Sequence, residues 1–285
     1  MEWISLASIV SHLIATVIAF ISGWIFTKTH DRVRRQREHK GQRALLSGLQ
    51  NPTIFVYPPR PRNDNEPNVI LPNVISTEDF LAINNVISAF LRVGWEPPKK
   101  IKDTDPEHLT DDDKRHNNLI LICSSKTNYV TRDALCKLRE TYPHLKDVLP
   151  AFELVNDSIA KTCRVLLHCK GATYYPPSYG QPIKEGSLIK DYAIIAKTIN
   201  PWSPAHRLLI VAGLRGIGTW GAAEALKKSW QEMYEKKGDD RNKGTSKGGN
   251  FVAVLRVHYQ DEDIKSPDLL NMIDLDESDV VGRPT

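Results

Sequence analysis

Four glycines and a threonine in "GLRGIGTWG", Gly213, Gly216, Gly218, Gly221 and Thr219, have the types and spacing that can cradle a phosphate. Glycine lets backbone amides approach an anion where a Cβ would forbid it, and a threonine hydroxyl can cap the following helix or meet a phosphate oxygen. The string matches G-x-G-x-x-G, with an apolar run before it and a helical pattern after it. A strand-to-helix turn of this kind also arises purely from close packing. The second candidate is Ser124-Ser125-Lys126-Thr127-Asn128. There hydroxyls, a side-chain amide and one cation precede a helical pattern whose N-terminus carries partial positive charge. Asn200 and Trp202, in "TINPW", could read and stack on a base. Asp191, Glu224 and Arg215 are the candidate catalytic groups, two acids for a sugar and a cation for phosphate. No metal site is expected, because Cys123, Cys136, Cys163 and Cys169 lack zinc-ligand spacing. No cofactor is expected either. A ribose-binding acid about 20 residues beyond the glycines is missing, which argues against redox chemistry.

"GIGTWGAAEAL" resembles the G-x-G-T-x-x-E signature of the SLOG superfamily, Rossmann-like proteins that include nucleotide phosphoribohydrolases and noncatalytic nucleotide sensors. The resemblance implies that Gly216, Gly218 and Thr219 form a phosphate loop and that Glu224, two residues later than the signature places it, is the acid. It covers only this strand-helix unit. It also implies a nucleotide-sensing effector joined to a membrane segment, of the kind found in prokaryotic defence systems.

The elements that must position these residues follow from periodicity. Thr53 to Pro61 reads as a strand stopped by prolines. Phe80, Ile83, Ile87, Phe90 and Leu91 then mark a helix capped by Ser76 or Thr77. Residues 96–117 are charged and proline-rich, as a surface loop would be. A strand from Leu119 leads through Ser124–Asn128 into a helix with Thr131 as its cap. "FELV", "CRVLLHCKGATYYPP" and "KDYAIIAKTINPW" read as three strands, the last two joined as a hairpin through "SYGQPIKEGS". A strand from Leu208 to Ala212, a helix with Ala222, Leu226, Trp230 and Met233 on one stripe, and a last strand "FVAVLRVHY" complete the pattern. Strands that alternate with helices and are apolar throughout predict an α/β, Rossmann-like fold with a mainly parallel sheet and helices on both faces.

The N-terminus is of another kind. No charged residue occurs from Trp3 to Phe26, and about 20 such residues cross a hydrocarbon core. Seven basic residues from Lys28 to Arg43 face only Asp31 and Glu38, which predicts an outside N-terminus and a cytoplasmic bulk. The expected organisation is a transmembrane helix over residues 1–27, a basic juxtamembrane linker over 28–50, an α/β domain over 51–260 and a flexible acidic tail over 261–285. The formal charge of +4 belongs to the basic flank, so nucleic acid is not an expected partner. The expected partners are the bilayer, a nucleotide-type ligand and a second copy, through the small-residue stripe Ser5, Ser8, Ser11 and Ala15. The function expected is a single-pass inner-membrane nucleotide or nucleotide-derived signal sensor. A glycosidic-bond hydrolase and a membrane-tethered scaffold are the alternatives.

Overall fold

A computed structural model describes residues 41–50, 52–58, 61–63, 66–70, 75–105, 107–157, 162–175, 188–228, 249–260, 263–265 and 267–275, with Lys28 and Met233. The chain divides into two compact units, Met1–Gly41 and Gln42–Thr285, and the description below concerns the second. The apolar run 3–26 and its small-residue stripe lie outside the described residues. Among the described residues no helix is long and apolar enough to cross a membrane.

Among the described residues the strands are β1 (Thr53–Tyr57), β2 (Pro61–Asn63), β3 (Glu66–Ile70), β4 (Lys100–Asp103), β5 (Asn118–Ile122), β6 (Ala151–Asp157), β7 (Thr162–Cys169), β8 (Ala172–Tyr174), β9 (Ile189–Asn200), β10 (Ser203–Gly213), β11 (Asn250–Gln260), β12 (Asp263–Ile264) and β13 (Asp268–Leu275). The helices are α1 (Thr77–Arg92), α2 (Asp111–His116), α3 (Tyr129–Thr141) and α4 (Gly216–Lys228), and residues 41–46 are also helical. The main sheet has the order β12-β11-β9-β10-β5-β1-β4, with β13 also on β11. β2 pairs with β3, and β6, β7 and β8 form a separate sheet.

The fold is α/β, but the expectation of a mainly parallel sheet is corrected. Only β4, β1, β5 and β10 run parallel, whereas β9, β11, β12 and β13 all pair antiparallel. The expectation took all-apolar strands as the mark of parallel pairing. Such a pattern records burial on both faces, and antiparallel strands in the middle of a covered sheet meet the same condition. Ile194, Ile195 and Ala196 of β9 and Leu208 to Ala212 of β10 are buried on either side, yet the two strands are antiparallel. The hairpin is therefore β9–β10, turning at Pro201 and Trp202. β7 pairs with β6 and β8 instead.

Two cores flank the sheet, separated by the alternation of side chains along each strand. On one face Phe55, Ile120, Ile122, Val211 and Ala253 meet α1 and α4 through Ile83, Val86, Phe90, Ala222 and Leu226. On the other, Ile54, Val56, Leu119, Leu121 and Ile210 meet α3 through Val130, Ala134 and Leu138, together with Val165 and Leu167 of β7. Ser76 caps α1 by accepting from Asp79 N, with Glu78 and Asp79 in its first turn, as expected. Phe80 and Leu91, placed on the apolar stripe by spacing, are instead exposed.

The charged stretch 96–117 holds β4 and α2 rather than a loop alone. α2 has no buried residue and begins in a capping box between Thr110 and Asp113. Residues 263–264 and 268–275, expected in the tail, pair with β11.

Candidate functional site

The C-terminal ends of β4, β1, β5 and β10 form one edge, where sheets of this type take ligands. The strand order turns at β1, with β4 on one side and β5 on the other. In order along the edge stand Asp103, Tyr57, the turn after β5 and the glycine loop after β10.

The glycine loop is already filled. Asp191, at the start of β9 and fully buried, points its carboxylate into the N-terminus of α4. Oδ2 accepts from Gly218 N at 2.9 Å and from Arg215 N at 3.1 Å, and Oδ1 accepts from Tyr192 N at 2.8 Å. These are the amides a phosphate would use. The site is an anion hole occupied by the chain's own carboxyl group. Burial drives the Asp191 carboxyl up to about 7, against the opposing pull of the three amides and the nearby Arg215 charge.

The glycines serve this packing. A Cβ on Gly213 would lie 2.3 Å from Thr219 N, one on Gly218 2.6 Å from Asp191 Oδ2, and one on Gly221 2.3 Å from Val257 Cγ1. Gly216 lies against the Glu78 side chain, so the first turns of α1 and α4 touch. Thr219 turns inward and accepts from Gly213 N at 3.0 Å.

The turn after β5 is arranged differently. Asn128, fully buried, is the cap of α3, accepting from Thr131 N at 3.0 Å and donating to Ile122 O at 2.8 Å. The cap is thus Asn128 and not Thr131. Ser124 is buried, Ser125 is half-buried, and Lys126 and Thr127 are exposed. This turn presents a cation and hydroxyls to solvent at the point where the strand order reverses.

Cys123, set aside as a metal ligand on its spacing, lies beside this turn. It directly follows β5 with φ of 81°, a left-handed conformation that non-glycine residues seldom adopt. Its Sγ lies 2.8 Å from Thr127 Oγ1. Burial, then the Asp79 charge, push this thiol up to about 12, so it is a packed thiol and not a nucleophile at neutral pH. His108 was missed in the sequence, because its stretch reads as a loop. Its Nδ1 lies 2.9 Å from Oδ1 of the buried Asp103, whose hydrogen bond and charge raise the imidazole above its ordinary value.

The remaining candidates are not brought to this edge. Asn200 and Trp202 sit at the opposite edge, because β9 runs antiparallel to β10 and its end pairs with the start of β10 at Ser203. Asn200 is buried, donating to Lys114 O and Asn117 O at 2.7 and 3.0 Å and accepting from Trp202 N. A base-reading role is corrected to that of a turn anchor. Glu224 lies two turns into α4, about 12 Å along the axis from Gly216 at 1.5 Å per residue, and pairs with Lys228. Among the described residues no cluster of three metal-ligating side chains occurs. No family model, curated protein or solved structure matches this chain.

Proposed function

We infer that this chain is a ligand-sensing module and that its ligand is an anionic, nucleotide-type molecule taken at the Ser124–Asn128 turn. The observation that carries the reading is the contrast between the two anion-suited loops. The glycine loop is filled by Asp191, while Ser125, Lys126 and Thr127 stay accessible beside the strand reversal. Sensing is favoured over hydrolysis because neither candidate acid is available to a substrate. Asp191 is enclosed and engaged by three amides, and Glu224 is nine-tenths buried beside Lys228. The uncharged run from Trp3 to Phe26 and its basic flank support a location at the inner membrane with the bulk in the cytoplasm.

The test uses the full chain in detergent micelles, melted with mono-, di- and cyclic nucleotides, each mixture then chromatographed for free base. A ligand at 100 times its Kd stabilises by about 2.7 kcal/mol, or roughly 5–10 °C for a domain of this size. The expected result is such a shift with intact nucleotide, removed by Lys126→Ala. Release of free base would replace the sensor with a hydrolase. A shift that survives Lys126→Ala would place the ligand elsewhere, and no shift with any nucleotide would leave a scaffold.

A further inference from the structure

The segment expected to be the end of a linker is built into the core. Leu45, Leu46 and Leu49 are at most 1% exposed and pack with α1 and α4. Gln42 Nε2 donates to Leu226 O at 3.0 Å, in the last turn of α4. Arg43 donates from Nε and Nη2 to Val93 O at 3.0 and 2.8 Å, at the C-cap of α1. Arg92 ties the two helix ends together by donating to Lys227 O at 2.7 Å. Beneath them Lys197, 1% exposed in the middle of β9, donates to Ala44 O, Ser47 O and Ser47 Oγ at 3.1–3.3 Å. The buried end of Lys197 thus meets carbonyls at and just beyond the end of the helical turn 41–46, where the chain leaves through Gly48 at φ of 79°.

We propose that residues 42–50 are a coupling strut, which binds the C-terminal ends of α1 and α4 into one unit and, through the two helices, reaches the ligand-facing edge. The strut grips both helices at their C-terminal ends. Their N-terminal ends meet at the opposite edge, where Glu78 lies against Gly216 and Asp79 bears on Cys123. With 16 and 13 residues, the helices span about 24 and 20 Å at 1.5 Å per residue, so they carry a displacement from one edge of the sheet to the other. Lys197 is the lock, because it fixes the strut to the sheet while Gln42 and Arg43 fix it to the helices. α3, on the other face, shares no hydrogen bond with the strut among those described and should not respond. The inference does not depend on which molecule binds at the edge.

The test is hydrogen exchange of the full chain in detergent, wild type against Lys197→Met, with no ligand present. Loss of hydrogen bonds from a charged group should speed exchange about tenfold. The expected result is that amides of residues 43–50, α1 and α4 accelerate together while those of α3 do not change. Acceleration confined to residues 43–50, or spread equally to α3, would overturn the strut. Should Lys197→Met fail to fold, Gln42→Ala with Arg43→Ala decides by the same pattern, since it leaves Leu45, Leu46 and Leu49 in place. No nucleotide enters the measurement, so a failure of ligand binding and a failure of coupling are read separately.

Discussion

Asp191 sets two strong effects against each other, and a pH series shows which prevails. Three amides and the positive end of α4 favour the carboxylate, whereas complete burial favours the acid. Burial prevails and the group titrates near 7, about three units above an ordinary aspartate. At 1.36 kcal/mol per unit the folded state therefore gains about 4 kcal/mol from holding the proton. Because the folded pKa is the higher one, this stability is full below about pH 4 and is lost as pH rises through 7. In Asp191→Asn the amide oxygen still accepts from Arg215 and Gly218, but its NH₂ faces the Tyr192 N–H, a fixed loss of about 1–3 kcal/mol. The assay is thermal melting of wild type and variant from pH 4.5 to 8.5. Carboxylates that pairing holds low, such as Asp113 and Asp268, titrate in both proteins and cancel in the difference. The wild type should be the more stable at pH 4.5, with the gap closing or reversing by about 3 kcal/mol, roughly 6–12 °C, by pH 8. A gap independent of pH, or one that widens as pH rises, would refute the reasoning. It would mean that the amides and the helix keep Asp191 charged.

The same packing makes Gly221→Ala destabilising by about 1–3 kcal/mol, since the new methyl overlaps Val257. A denaturant titration should show part of that loss restored when Val257→Ala is added, a coupling that independent sites would lack. Thiol labelling of the native chain at pH 8, mapped by peptide mass, should modify the exposed Cys136 quickly and leave Cys123 and Cys169 until denaturant is added. Burial holds the latter two thiols up, at about 12 and about 11.

What the sequence made legible were the local units. β5–α3 and β10–α4 each combine a buried run, a turn and an apolar helical stripe in one contiguous stretch, and β1 and α1 carry the same signals on either side of the β2–β3 pair. The Thr110-x-x-Asp113 capping box was readable too, but α2 buries nothing and so left no apolar period to find. Strand direction was not legible. A run buried on both faces looks alike in either sense, and the clue was the short Pro201-Trp202 connection, which only an antiparallel pair permits. That one reversal carries Asn200 and Trp202 to the far edge and brings Asp191 to the near one.

The glycine loop was legible as an anion-suited turn, but the Asp191 side chain that enters it was not, for the same reason. Gly218 N and Arg215 N suit any anion, and the residue types around them do not distinguish a phosphate from a carboxylate supplied 24 and 27 positions upstream. The distinction lies in a tertiary contact between β9 and α4, which exists only because β9 doubles back beside β10. A motif of this kind identifies an anion hole; what fills it follows from the topology around it. Here the topology fills it from within, and so moves the search for a ligand along the same edge to Ser125, Lys126 and Thr127.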